Sequence, residues 1–180
     1  LSPAFFRRPP EVAARDLLGK MLLRRTPSRD IAGLITEVEA YAGEDDPASH
    51  AHRGPTPRAK IMWEAPGTIY IYFIYGMHHC LNIVTGERGE ASAVLIRGVS
   101  MISNHPRAAN GPGKICRAFE IDLSLNGHRL RRGELWIEDR GVAVQDTEVL
   151  QTARVGIRHG RERLWRFVIA DVRSLTLERT

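Results

Sequence analysis

The segment ITEVEAYAG, Ile35 to Gly43, sets two carboxylates and an aromatic at alternate positions. Successive side chains of a strand point to opposite faces. Glu37, Glu39 and Tyr41 then share one face, and Thr36, Val38 and Ala40 the other. A carboxylate beside an aromatic ring can be desolvated, can position water and can act as a general base. The same alternation also suits a solvated outer face.

Three further groups of residues could do chemistry. In GTIYIYFIYG, Tyr70 and Tyr72 share a strand face, while Tyr75, next to Gly76, sits at the strand's end. Tyrosine offers a rigid π-face and a polar tip suited to stacking on bases, although strands favour it for packing alone. Histidines cluster in SHAHRG (His50, His52) and MHHC (His78, His79, with Cys80). A metal reading takes His50 and His52 as a pair on one face, with Glu39 or a later histidine completing the site, but no four-ligand spacing of a known kind is present. Phosphate contacts suit His52, Arg53, Thr56 and Arg58 in one loop, and Lys114 at the glycine-rich helix start GPGKIC. GxxxxGK[ST], GxSxG and HExxH do not occur, which argues against a P-loop nucleotide hydrolase, an elbow-type serine hydrolase and a zincin.

The chain of 180 residues, 43% of them hydrophobic, is the size of one domain with a proper core. Its net charge is +5, and only Lys20, Lys60 and Lys114 are lysines, so the basic surface is almost entirely arginine. Arginine suits phosphate. Cys80 and Cys116 are too few for a disulfide framework and read as buried thiols in a reducing compartment. No apolar run of membrane-spanning length occurs, and LSPAFFRRPP carries no signal-peptide core, so the expectation is a soluble, non-secreted protein.

The elements that must position these residues follow from pattern. PPEVAARDLLGK predicts a short helix with Pro10 in its first turn and Gly19 as its stop. Leu22 and Leu23, a turn over Thr26 to Asp30, and Ile31 to Tyr41 predict a hairpin. Residues 42–57 predict a long loop of the kind that carries function, and Arg58 to Glu64 one or two helical turns. Gly67 to Gly76 is the clearest strand. Others are expected at His79 to Val84, Ala91 to Val99, Glu134 to Glu138 and Trp165 to Ile169, with a helix opening at Gly111. Strands outnumber helices and follow one another through short turns, which predicts an α+β fold over residues 1–180: a mixed or antiparallel curved β-sheet with short helices around it.

Taken in order, EVEAY, a histidine nine residues after the tyrosine, GTIYIYFIYGM followed by CLN, then VLIR, GPGKIC and ARVGI resemble the alkyladenine (3-methyladenine) DNA glycosylase family. The resemblance spans about Leu17 to Phe167. It implies a monofunctional glycosylase that flips alkylated or deaminated purines out of duplex DNA and hydrolyses the N-glycosidic bond. Carried over position by position, it implies that Glu39 activates water, with Arg97 and the backbone carbonyl of Val155 helping to hold that water. Tyr41, His50 and Tyr72 resemble the walls around the extruded base, and backbone groups at Ala48 and His50 the readers of its edge. Asn82 resembles the residue that excludes guanine, and Tyr75 the wedge that fills the gap in the duplex, flanked by Met77 and His78. Thr56, Arg58 and Lys114 are expected to contact DNA.

Such a reaction needs neither metal nor cofactor. No lysine stands beside the Glu39 or tyrosine motifs to serve as an amine nucleophile, which predicts water attack and no strand cleavage. The expected partner is double-stranded DNA holding damaged purines, and the expected enzyme is a monomer without membrane contact, in a bacterial cytoplasm and nucleoid or a eukaryotic nucleus. Between Arg97 and Gly111 the chain is shorter than the family usually shows, and Glu37 matches the motif without an assigned role beyond a structural hydrogen bond. Two other classes stay open: a non-catalytic damage-binding protein using the same wedge, and a metal-dependent hydrolase built on the histidines.

Overall fold

A computed structural model describes residues 1–102 and 108–172. Its helices are short: α1 (Pro3–Phe6), α2 (Pro10–Leu17) and α3 (Pro112–Ala118). Proline in the first turn, where no intrahelical N–H is needed, starts α2. Leu18 is already extended and Gly19 turns the chain at φ +79°, which ends the helix where the sequence placed its stop.

The strands are β1 (Met21–Arg25), β2 (Asp30–Tyr41), β3 (Ile69–Ile74), β4 (His78–Val84), β5 (Ala93–Met101), β6 (Ala108–Asn110), β7 (Leu135–Glu138), β8 (Val149–Thr152) and β9 (Arg166–Ile169). All nine belong to one sheet, in the order β3-β4-β5-β2-β1-β7, with β6 on β5, β9 on β2 and β8 on β9. Every pair is antiparallel, so of the two arrangements expected the sheet takes the antiparallel one. The fold is α+β. The expected strands lie within two residues of the observed ends. The additional elements α1, β6 and β8 are three or four residues long, too short to carry a readable period.

β2 is the hub. Its first half pairs with β1 and its second half with β9, while β5 runs along the other edge. One face of the sheet packs against α2 and α3 around Leu17, Ile35, Val38, Ile71, Leu81, Ile96 and Phe119. The other face carries a smaller cluster of Ala51, Met62, Tyr70, Val84 and Ala93, flanked by Tyr41 and Tyr72, which the 42–64 segment covers. That segment contains 3-10 turns at His50–Arg53 and Lys60–Trp63. The face holding Glu39 is therefore a second interior, and the solvated-face alternative does not describe it.

Strict alternation along β2 fails at one place. Ile35 joins Val38 and Ala40 in the main core, and the pairing with β5 shifts register on either side of Glu37. Bulges of this kind re-aim side chains. Opposite the bulge lies Gly98, where an added Cβ would stand 2.7 Å from Glu37 Cβ and 2.9 Å from Thr36 Oγ1. Gly98→Ala should therefore cost about 1–3 kcal/mol through overpacking, read as a lower urea midpoint with an unchanged m-value. A midpoint equal to that of the wild type would show that the strands part there without cost.

Candidate active site

Glu39 is completely buried. A carboxylate out of water must find donors, and it has three. Tyr41 Oη–H donates to Oε2 at 2.8 Å and the Val155 N–H to Oε1 at 2.7 Å, while Arg97 Nε lies 3.3 Å from Oε1. Burial pushes the Glu39 carboxyl above its ordinary value, against the pull of Arg97, the Val155 amide and Tyr41; the nearby charge of Glu37 adds to the rise. Glu39 is thus a carboxylate that is hydrogen-bonded yet more basic than one in water.

All three partners line a cavity of about 400 Å³. Its other walls include Ala48, His50, Tyr70, Tyr72, Asn82, Leu95 and Pro112. Tyr70 and Tyr72 face it together, as their spacing predicts. His50 stands edge-on to Tyr72, ring centroids 4.6 Å apart, and its Nδ1 shares a 2.8 Å hydrogen bond with Tyr70 Oη. Burial, with the charge of Arg58 behind it, lowers the His50 pKa to about 4, so the ring is neutral near pH 7. Burial likewise raises the Tyr41 and Tyr72 hydroxyls, with the Glu39 charge adding to the first, so both stay protonated as donors. Asn82 Nδ2 donates to the Tyr70 and Cys80 carbonyls, which fixes the amide against the β3–β4 backbone.

At the rim the β3–β4 hairpin turns through Tyr75 and Gly76, at φ +52° and +64°. Positive φ is uncommon for a tyrosine and marks a strained position. Tyr75 is 85% exposed and Met77 66% exposed. Two large side chains held in water at a turn gain nothing for the fold. His78 packs against α3, close enough that a Cβ on Gly113 would meet its ring at 2.9 Å, and it is not exposed at the tip.

The proposed phosphate contacts divide. Lys114 is exposed on the first turn of α3, two residues from the cavity-lining Pro112. Arg58 Nη2 donates to the Phe73 carbonyl at 2.9 Å and its guanidinium lies 5.1 Å from the Tyr72 ring, so it braces the aromatic wall. Thr56 Oγ1 accepts the Ala59 N–H, closing a local turn. Val155 meets Glu39 through its N–H, and the Ala48 N–H is committed to Asp46 Oδ1 at 3.1 Å. His52 Nδ1–H donates to the Glu44 carbonyl at 2.6 Å, away from His50. Among the described residues no group of three or more His, Cys, Asp or Glu side chains is arranged to hold a metal ion.

Sequence reasoning missed the pair that holds the Val155 segment. Arg154 makes two hydrogen bonds to Asp46, at 2.6 and 2.8 Å, and both side chains are fully buried. Arg154 also donates to the Ala40 carbonyl and lies over the Tyr41 ring at 4.7 Å. Burial alone would raise the Asp46 pKa, but Arg154 and the Ala42 and Ala48 amides hold it below the usual carboxylate range. Glu37, expected to make no more than a structural hydrogen bond, accepts at Oε1 from Arg97 Nε at 3.0 Å and from Arg166 Nε at 2.7 Å.

A family model described as methylpurine-DNA glycosylase (MPG) matches residues 4–173. A protein of Herpetosiphon aurantiacus is 42% identical over 196 residues, covering 98% of this chain and 88% of its own length. One of Sodalis glossinidius is 44% identical over 171 residues, covering 93% and 95% respectively. One of Ehrlichia chaffeensis is 41% identical over 178 residues, covering 97% and 96%. Each bears the name "Putative 3-methyladenine DNA glycosylase".

Breaking a buried ion pair by neutralising one partner leaves an uncompensated charge. Asp46→Asn should therefore cost about 3–5 kcal/mol of stability, measured by urea unfolding at pH 7. A loss below about 1 kcal/mol, the range of surface pairs, would mean that the pair does not anchor the segment.

Proposed function

The chain belongs to the methylpurine-DNA glycosylase family, and from that membership we propose that it hydrolyses the N-glycosidic bond of alkylated or deaminated purines in duplex DNA. The candidate substrates are 3-methyladenine, 7-methylguanine, hypoxanthine and 1,N6-ethenoadenine. The observation that carries this reading is Glu39: a fully buried carboxylate whose three donor groups all line an aromatic-walled cavity.

A base in the stack cannot be reached, so the nucleotide leaves the duplex. Tyr75, exposed and held by the hairpin turn, fills the gap it vacates, with Met77 beside it. The extruded purine enters the cavity between Tyr41, His50 and Tyr72, whose rings offer π-faces without net charge. Asn82, fixed by two backbone carbonyls, crowds the exocyclic amine of guanine. The departing base leaves positive charge on the sugar, which Glu39 stabilises while taking a proton from the attacking water. Ring-nitrogen methylation already makes the purine a good leaving group; a neutral lesion needs a proton in addition.

None of the three lysines lines the cavity. The nucleophile in this reading is water, and the product is an intact strand with an abasic site. DNA contact draws on Lys114 and on the arginine-rich surface. No described helix is long and apolar enough to cross a membrane.

The test is single-turnover excision from end-labelled duplexes carrying one hypoxanthine or one 1,N6-ethenoadenine, in EDTA. Abasic sites that break only after alkali are expected. Tyr75→Ser should reduce duplex excision at least about fivefold, since aromatic stacking is worth about 1–3 kcal/mol per base. Strand scission without alkali, or excision that needs a metal ion, would contradict the proposal.

A further inference from the structure

Glu37 is a half-buried carboxylate that neither faces the core nor lines the cavity, yet the sheet is built irregularly around it. Its register with β5 shifts on both sides, and the residue facing the bulge is a glycine with no room for a Cβ. One oxygen, Oε1, accepts from two guanidinium groups, Arg97 Nε at 3.0 Å and Arg166 Nε at 2.7 Å. Arg97 Nε is therefore shared: it is closer to Glu37 than to Glu39, where the separation is 3.3 Å. Arg166 pairs in register with Glu39 on the adjacent strand, but its Nε is committed to Glu37 and its Nη1 to Thr152.

We propose that Glu37 is a positioning residue for the excision reaction: it shares Arg97 with Glu39, so that Arg97 orients the water-activating carboxylate without being committed to it alone. Arg166 sets how strongly Glu37 does this, because the two arginines share one acceptor oxygen. A Glu39 fully paired with Arg97 would be a weaker base, and a Glu39 with no cation near it would hold its proton more tightly; the divided arginine lies between the two. The inference rests on the glycosylase reading above.

The other groups facing Glu39 leave this control to Glu37. On its own strand Tyr41 donates a hydrogen bond, and from β3 the Tyr72 hydroxyl is near enough to feel its charge. From the 153–157 segment come the Val155 N–H and the Arg154 guanidinium, the latter held by Asp46. On β5 stands Arg97, and on β9 Arg166.

Two variants give shifts of opposite sign. In Glu37→Gln the amide oxygen still accepts from both arginines but carries no charge, so Arg97 turns to Glu39. The acidic limb of the single-turnover pH–rate profile should move down by about one unit, with a lower plateau because the base is weaker. In Arg166→Gln, Glu37 has Arg97 to itself and draws it away, so the limb should move up. Lesion-duplex affinity should stay unchanged in both. The Glu39 carboxyl, followed by NMR titration of 13C-labelled, DNA-free protein and assigned with Glu39→Gln, should show the same two shifts. Profiles and titrations that overlay the wild type, or that shift in the same direction in both variants, overturn the inference. If the wild type excises nothing, the glycosylase reading fails, while the carboxyl titration still decides what Glu37 does. If Glu37→Gln does not fold, the sign of the Arg166→Gln shift decides it alone.

Discussion

A carboxylate without solvent access is the constraint around which the rest of this site is built. Glu39 loses hydration that a few hydrogen bonds only partly replace, so each of its donors must be held in place by something else. Arg97 is held by Glu37, which in turn is held by Arg166. The Val155 amide is carried on a segment anchored by the Arg154–Asp46 pair, and Asp46 also accepts the Ala42 and Ala48 amides at the start of the covering loop. Two ion-pair systems, drawn from strands and loops far apart in sequence, converge on one side chain.

The sheet makes this possible by having two interiors. Its helix-covered face holds the aliphatic core, while its other face, closed by the 42–64 segment, holds tyrosines, a neutral histidine and the buried carboxylate. The bulge at Glu37 links the two. Ile35 can stay in the core while Glu37 meets Arg97 and Arg166, because β2 steps out of alternation there. Gly98 permits the close approach that this requires. The hairpin end at Tyr75 adds a strained, exposed aromatic ring at the rim of the same cavity.

Much of this was legible in the sequence because it is local. Alternation put Glu37, Glu39 and Tyr41 on one face and Tyr70 with Tyr72 on another, and the flanking Gly76 marked Tyr75 as a strand end. What was not legible depends on contacts between distant segments. Asp46 and Arg154 are 108 residues apart, and nothing in the loop or in ARVGI marks them as partners. The fate of the Val155 N–H and the sharing of Arg97 are matters of fractions of an ångström, set by tertiary packing. The bulge at Glu37 leaves the local composition of β2 unchanged, so a period of two runs through it unnoticed. His78 looked like part of the exposed tip because sequence shows the hairpin but not α3 packed against its stem.

In the proposed reaction Glu39 performs the chemistry and leaves recognition to the cavity. The most direct measurement compares wild type with Glu39→Gln in one experiment: equilibrium binding to a duplex with a single 1,N6-ethenoadenine, and single-turnover release of that base in EDTA. Glutamine keeps the shape and an acceptor for the Val155 N–H but cannot take a proton. Binding equal to the wild type with excision lost by about 10²-fold or more, the usual contribution of a general base, is the predicted result. Near-normal excision by Glu39→Gln would contradict it, and would move the reaction to another group.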